Sequence, residues 1–552
     1  MLVSDAVATA LAELCADTVF GLVGSGNFHV TNALIGQGAR FIAARHENGA
    51  ASMADGWARL SGRPGVVSLH QGPGLTNALT AIAEAAKSRT PLLVLAADAT
   101  SPRSNFRIDV AAIATAVGAT PAGLHSPSFA VDDTVRAYRT AASEHRCVIL
   151  ALPLEVQAAE CAYPGVGPER TMRGRAPGVA EPADRQAQAL ARLLERAERP
   201  VFIAGRGARA AGPQARAELE RLADACGALL ATSAAAKGLF RGSPWDLDVS
   251  GGFASPLAAE LIQGADVLVG WGSSLNMWTL RHGNLVGRGT TVVQVDTDAK
   301  AIGVHQRVGL AVTGDVAATA RVVADLLPAA VDTGGYRSAG LEERIAREVR
   351  WRDVPFTDES DGQRIDPRTL TIELDDLLPA ERIVAVDSGN FMGYPSMYLS
   401  VPDADGFTFT QAYQSVGLGL SSAIGAAIAR PDRLTVAALG DGGALMGISE
   451  LETVVRLGLP MVIVVYDDAA YGAEVHHFGP DGYPLDTVQF PPADLAAIGR
   501  GFGCEGVTVR TSADLEPVRA WLAGGRDKPL VIDAKVTSDR GSWWLEEAFR
   551  GH

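Results

Sequence analysis

Cysteine is scarce and unpatterned in this chain. Cys15, Cys147, Cys161, Cys226 and Cys504 are scattered through 552 residues, with no Cys-x-x-Cys pair. Such a set gives neither a disulfide framework nor a zinc site, and most are expected to be core residues. Long apolar runs are missing too. No apolar stretch of about 18 residues free of charge appears, and Met1-Leu2-Val3-Ser4-Asp5 has no basic segment ahead of an apolar one. A soluble cytoplasmic protein without a membrane partner is expected. Net positive charge is also lacking: at −15, nonspecific nucleic-acid binding is excluded. The acidity serves solubility and says little about substrate.

Apolar residues are abundant, at 47%, against 20% charged and 6% aromatic. Large cores are therefore available, and the frequent Ala and Gly suit close packing of helices on sheets. The length predicts three domains. Two stretches read as connectors. Residues 160–185 carry Pro164, Pro168, Pro177 and Pro182 with Gly165, Gly167, Gly174 and Gly178. Residues 328–366 begin polar and Gly-rich, then hold a charged helix-like run near Glu342–Arg352. The expected domains are 1–165, 185–330 and 365–552. Each alternates short apolar runs with Ala-rich stretches. Val66–Leu69, Leu92–Ala96, Val148–Leu152, Val201–Ala204, Val267–Val269, Val292–Val295, Ile383–Val386, Thr435–Leu439 and Val462–Val465 read as buried parallel strands. The fold class is α/β, with three doubly wound parallel-sheet domains.

The first and third domains share a pattern. Val66–Leu69 leads into His70-Gln71-Gly72-Pro73-Gly74, a helical stretch and Pro91 before the next strand. Thr435–Leu439 leads into Gly440-Asp441-Gly442-Gly443, a helical stretch and Pro460. Two related domains that bind opposite ends of one ligand would explain the repetition, with the ligand at the carboxyl ends of strands. Glycines after a strand let backbone approach a phosphate. An acid in that turn, Asp441, and a second at the end of the next strand, Asp468, can hold a divalent ion against it. Far upstream, Glu47 follows the short strand Phe41–Ala44 and opens a stretch rich in Ala and Gly. It reads either as a carboxylate favouring a helix N-terminus or as a buried proton relay.

Glu47, the Gly72-Pro73-Gly74 turn, and Gly440-Asp441-Gly442 with Asp468 downstream resemble, in order and spacing over nearly the whole chain, the thiamine-diphosphate enzymes of the acetolactate synthase, pyruvate decarboxylase and benzoylformate decarboxylase group. The resemblance implies an N-terminal pyrimidine-binding domain, a middle domain and a C-terminal diphosphate-binding domain. It implies a homodimer or homotetramer with active sites at subunit interfaces, and thiamine diphosphate with Mg²⁺ as cofactors. Glu47 would then hydrogen-bond the aminopyrimidine ring and so promote ylid formation. Asp441, Asp468 and the Ala470 carbonyl would ligate Mg²⁺. Gly72, Gly389, Asn390, Gly440, Gly442, Gly443 and Tyr471 would contact the cofactor, and Val416 would wedge it into a bent shape. Alone, Val416 reads as a core valine. The family usually has Asn-Asn where this chain has Asp467-Asp468, which makes the site more anionic; Asp467 is expected to cap its loop.

On the substrate side, Glu474 is placed as in pyruvate decarboxylase, where a glutamate handles protons after CO₂ leaves; alone it reads as a solvated charge. Ser25 and His70 resemble the benzoylformate decarboxylase pattern. His29, Gln71 and His476 are expected near the pocket; the register of His29 depends on Gly26 and Asn27, which look like an insertion. Acetolactate synthase fits less well. Its usual Phe-Gln-Glu stretch is replaced by Ser104-Asn105-Phe106-Arg107-Ile108-Asp109. Ser388-Gly389-Asn390-Phe391-Met392 stands where a Gly-Gln-His-Gln-type segment would be. The resemblance leaves FAD or ADP open for the middle domain; Gly205-Arg206-Gly207 is a weak signal, and no flavin is expected. Trp543, Trp544 and Phe549 either cover the site or dock a terminal helix. The resemblance implies non-oxidative decarboxylation of a 2-oxo acid through an enamine, with carboligation to an aldehyde as a second outcome. An acetolactate-type carboligase, a flavin-dependent oxidase and a non-catalytic homologue are the alternatives.

Overall fold

The computed structural model describes residues 1–167, 180–328 and 335–548. Phe549, and Pro168, Gly174, Pro177 and Gly178 of the first expected connector, lie outside the described residues. The described strands form three six-stranded sheets in which every neighbouring pair is parallel. The first holds β1 (Thr18–Leu22), β2 (Arg40–Ala43), β3 (Gly65–Leu69), β4 (Leu92–Asp98), β5 (Thr120–Gly123) and β6 (Cys147–Pro153), in the order β2-β1-β3-β4-β6-β5. The second holds β7 (Pro200–Ala204), β8 (Leu229–Thr232), β9 (Asp246–Val249), β10 (Val267–Trp271), β11 (Thr291–Asp296) and β12 (Leu310–Thr313), in the order β12-β11-β10-β7-β8-β9. The third holds β13 (Arg382–Val386), β14 (Phe407–Phe409), β15 (Leu434–Gly440), β16 (Met461–Asp467), β17 (Glu505–Val509) and β18 (Leu530–Lys535), in the order β14-β13-β15-β16-β18-β17. Strand for strand, the third sheet repeats the path of the first. The near-continuous Val, Ile and Leu runs are what parallel strands covered by helices on both faces require.

The first and third domains are joined by a shared apolar core. Phe20, Met53 and Trp57 of the first belong to the same cluster as Leu420, Ile424 and Val454 of the third. Its seam is the helix Glu47–Ser61 against the helix Gly419–Ala429. The two approach backbone to backbone. A Cβ on Gly425 would come within 1.9 Å of the Met53 carbonyl oxygen, and one on Gly56 within 2.3 Å of the Ser422 carbonyl oxygen. The Ala/Gly face that follows Glu47 exists for this contact.

Part of the stretch expected to connect the second and third domains, 328–366, packs on the middle domain. The helix Ala339–Glu348 lies within it, and Ile345 and Val349 enter a core of the middle domain with Leu257 and Leu261. Tyr336 donates to the Leu261 carbonyl at 3.1 Å, and Trp351 is buried and donates to the Phe253 carbonyl at 2.6 Å. Ile345 and Val349 are buried and Leu341 packs beside them, while the rest of the helix is mostly charged, so its composition imitates a linker. Among the described residues no helix is long and apolar enough to cross a membrane.

The seam has a measurable consequence. Gly425→Ala should lower the denaturant or thermal midpoint, at a cost of about 1–3 kcal/mol from overpacking. Gly340→Ala, whose added Cβ meets nothing within 4 Å, should leave it unchanged or slightly raised. Equal midpoints for the two variants would refute the backbone contact.

Candidate active site

The third sheet changes direction of winding between β13 and β15, the position at which doubly wound sheets bind ligands. A cavity of about 400 Å³ opens there. Its walls are the segments that leave three strands: Ser388–Met392 after β13, Gly440–Gly443 after β15, and Asp468 with Ala470–Glu474 after β16. Val416, His477, Phe478, Trp544 and Leu545 also line it, as do Gln411, Gln414 and Tyr466, with Trp278 of the middle domain. Of the residues expected from the sequence, Gly389, Asn390, Val416, Gly440, Asp441, Gly442, Gly443, Asp468, Ala470, Tyr471 and Glu474 all line this one cavity.

Local chemistry fixes the parts. Asp441 opens the helix Asp441–Met446 and is almost buried. Burial first, then the charges of Asp468 and Asp467, push its carboxyl up to about 8. Burial likewise raises Asp468 to about 7, opposed by the Ala470 N–H and helped by Asp467. Between Asp468 and Ala470, Ala469 adopts a left-handed φ of 53°. The loop carries that strain while the Tyr471 N–H and the Val488 carbonyl pin it at 2.8 Å. Asp467 does cap this loop, accepting from the Ala469 N–H at 3.0 Å; its other oxygen pairs with Lys535, which also meets Asp533 at 3.0 Å. The Asp467 charge is thus compensated within the protein, whereas Asp441 and Asp468 are not. A nearly buried and a half-buried carboxyl that repel each other beside a glycine turn are a donor set suited to a hard divalent cation and a phosphate. The turn must stay small: Gly442 lies under the Tyr471 ring, where a Cβ would come within 2.7 Å.

Asn390 is clamped from behind. Ser542 donates to it from its backbone N–H at 3.1 Å and from its hydroxyl at 2.8 Å, and the Trp544 indole N–H donates to its carbonyl at 2.9 Å. The C-terminal aromatic pair therefore does both things expected of it. Trp544 walls the cavity, while Trp543 packs on Trp351 with ring centroids 5.0 Å apart. Asp387, which the sequence argument passed over, is wholly buried at the end of β13. It accepts from the backbone N–H of Gly417 at 2.9 Å, Leu418 at 3.2 Å and Ser388 at 2.9 Å. Burial raises its carboxyl to about 6, and these N–H groups oppose the rise. It ties the Val416 turn to the strand that carries Asn390. The available signal was an acid at a strand's carboxyl end, the same placement as Asp441 and Asp467.

The expected residues of the first domain form a second group. Glu47 begins its helix, is buried, and accepts from Asn77 at 3.0 Å. His70 stands at the end of β3 with its edge on Phe106, ring centroids 5.4 Å apart. The Gly26 N–H donates to His70 Nδ1 at 3.2 Å, which leaves the neutral ring's proton on Nε2. Burial lowers the His70 pKa, opposed by the Glu47 charge. Asn27 is no idle insertion: it is buried, accepts from the Gly24 N–H at 2.9 Å, and donates to Ser68 at 3.1 Å. It thereby shapes the turn that exposes Ser25. Gln71 is buried beside Gly26, where a Cβ would overlap its amide oxygen. Gly72 has φ 65° and sits against the Phe106 backbone. His29 is exposed beside Phe28.

Within one chain the two groups do not meet: none of the residues lining the third-domain cavity belongs to the first domain. Exposed apolar side chains include Val23, Phe28 and Phe106 in the first domain and Tyr413, Val416, Met446 and Phe478 in the third. On the helix Gly472–Phe478 it is His477 that lines the cavity. His476 is half-buried, and burial lowers its pKa against the opposing charge of Asp539.

Three family models match along the chain. They are described as the N-terminal TPP binding domain, the central domain and the C-terminal TPP binding domain of thiamine pyrophosphate enzymes, over residues 1–116, 187–323 and 387–534. A probable 2-ketoarginine decarboxylase of Pseudomonas aeruginosa is 32% identical over 94% of this chain and 91% of its own length. A sulfoacetaldehyde acetyltransferase of Castellaniella defragrans is 30% identical over 96% and 92%. A putative acetolactate synthase large subunit of Mycobacterium tuberculosis is 28% identical over 90% and 91%.

The uncompensated carboxyls predict a pH signature. Their pKa values are higher folded than unfolded, so the stability they contribute is present below about pH 4 and lost as pH rises through about 7–8. Without divalent cations, Asp468→Asn should flatten the fall in denaturant midpoint between pH 5 and pH 8. Parallel profiles for variant and wild type would contradict the assignment.

Proposed function

The chain belongs to the thiamine pyrophosphate enzymes, and on that premise we propose that it decarboxylates a 2-oxo acid without oxidation, using Mg²⁺ as well as thiamine diphosphate. That it is an enzyme of the decarboxylase, carboligase or transferase range follows from its family and relatives. Bound thiamine diphosphate supplies the electron sink that accepts the bonding pair when CO₂ leaves. Asp441, Asp468 and the Ala470 carbonyl would hold Mg²⁺, and Asn390 with the Gly440–Gly443 turn would hold the diphosphate. Val416 is half-exposed on the cavity wall, where it would press on the cofactor's middle. Glu47, steadied by Asn77, would hydrogen-bond the pyrimidine ring. We place these two groups in one site built by two copies of the chain; the exposed apolar side chains of both domains support a homodimer or a larger homo-oligomer. The unpaired cysteines support a cytoplasmic setting.

The observation that carries the choice of reaction is Glu474 on the cavity wall, three residues before His477 on the same helix face. A carboxyl there can hand a proton to the carbon that lost CO₂, and the neutral His70 Nε2–H can donate a hydrogen bond to the substrate oxygen. The decarboxylase relative supports this reading. A second reading, capture of the acyl group by another carbonyl or acceptor, is supported by the acetyltransferase and synthase relatives.

Product analysis separates the two. With thiamine diphosphate, Mg²⁺ and a panel of aliphatic, aromatic and guanidino 2-oxo acids, one acid should yield CO₂ and the matching aldehyde as main products. Acyloin or acetohydroxy acid as the main product would establish the second reading. Glu47→Gln should lower kcat by about 10²–10⁴-fold with cofactor binding largely kept. A near-native rate would remove Glu47 from the chemistry. Glu474→Gln should slow aldehyde release by about 100-fold, and unchanged rates and products would exclude it as the proton donor.

A further inference from the structure

A second cavity, of about 290 Å³, lies between the middle and third domains, and shares no lining residue with the first cavity. Four stretches line it: the turn around Lys237 and Arg241 with Asp246 and Asp248, the helix Ala339–Glu348 and the residues after it, Asp375, and Met397–Val401. Its charge is unevenly compensated. Lys237 is buried and sits 3.3 Å from both oxygens of Asp248, and Arg352 pairs with Asp375 at 3.2 Å. Arg241 and Arg350 form no ion pair among the described residues, yet both line the space. The one lining carboxylate without an ion pair is Asp246, which accepts only the Asp248 N–H, at 2.9 Å. Burial and the Asp248 charge push the Asp246 carboxyl up, opposed by the Asp248 N–H and the charges of Lys237 and Arg241. The cavity thus presents two guanidinium groups without an ion pair among the described residues, Arg241 half-buried and Arg350 exposed. Its other wall is apolar, built from Ile345, Val349, Met397, Leu399 and Val401.

From this arrangement we propose that the cavity is a binding site for a small organic carboxylate with a short apolar body. Guanidinium forks match the two oxygens of a carboxylate. The facing aliphatic wall favours an alkyl chain over a bare inorganic anion, and the volume is too small for a nucleotide. The site is not isolated from the first cavity. Met397 and Tyr398 end the helix Gly393–Tyr398, and the residues just before that helix, Phe391 and Met392, line the cofactor cavity.

The test uses the full chain loaded with thiamine diphosphate and Mg²⁺, carrying ¹³C-methyl methionine, and isovalerate as the probe. The chain has eight methionines, so the Met397 methyl signal is assigned by Met397→Leu. Isovalerate should shift the Met397 signal saturably, with acetate at least tenfold weaker and isovaleramide inert. Arg241→Gln combined with Arg350→Gln should weaken the response at least tenfold. Ala346→Phe, which fills the mouth from an exposed position on its helix, should abolish it even if the arginine variant fails to fold. Three results would each overturn the proposal: no Met397 shift at about 50 mM isovalerate, a response equal to that of isovaleramide, or a response unchanged by Ala346→Phe. A shift confined to Met392, on the cofactor cavity, would likewise overturn it.

Discussion

The backbone-on-backbone seam between the helices Glu47–Ser61 and Gly419–Ala429 is the constraint on which the rest of the molecule depends. It merges the cores of the first and third domains, and buried charges lock it. Arg59 meets Asp55 and Glu84 at 2.8 Å and donates to the Phe409 carbonyl at 2.7 Å. Glu84 in turn accepts from the backbone N–H groups of Ala412 and Tyr413, at 3.2 and 2.6 Å. Arg209 of the middle domain donates to the Arg59 carbonyl at 3.0 Å and to that of Phe407 at 3.1 Å, so all three domains meet there. Glu450 closes the other end by accepting from the N–H groups of Arg45 and His46, at 2.9 and 3.0 Å. Removing one partner from such a buried network strands the others, at a cost of about 3–5 kcal/mol. The docking of Glu47 is therefore rigid, and that rigidity keeps it out of its own chain's cavity.

A fixed seam gives the chemistry its division of labour. The third domain concentrates uncompensated negative charge, in Asp441 and Asp468, where a cation and a diphosphate would neutralise one another. The first domain offers a buried carboxylate and a neutral histidine whose tautomer is set by a backbone N–H. Each group is preorganised by its neighbours: Asp387 holds the Val416 turn, Ser542 and Trp544 hold Asn390, and Asn27 holds the Ser25 turn. Such support fixes reacting groups before substrate arrives, which is where electrostatic stabilisation is gained without reorganisation.

Much of this was legible in the sequence, because parallel strands must be apolar on both faces and phosphate turns must be glycine. The strand runs, the repeated path of the first and third sheets, and the lining of the third-domain cavity all follow from those two requirements. What stayed hidden depends on contacts between distant segments. The helix Ala339–Glu348 buries too few side chains to break a charged pattern. Asp387 belongs to no spacing motif, and its role exists only because the Gly417 turn folds back onto it. Which of His476 and His477 lines the cavity turns on where the helix begins, since one residue is about 100° of rotation. Gly26 and Asn27 look like extra residues in one dimension; in three, the first avoids Gln71 and the second fastens the turn.

The central claim is that one site draws Glu47 from one chain and Asp441 from another, and mixing two inactive variants tests it most directly. Glu47→Gln and Asp441→Asn chains, each assayed alone and then co-expressed and purified together, should be near-inactive apart. Mixed at equal ratio, they should recover about a quarter of wild-type turnover, because half the dimers are mixed and each mixed dimer has one intact site. Activity of the mixture no higher than that of the separate variants would contradict a shared site.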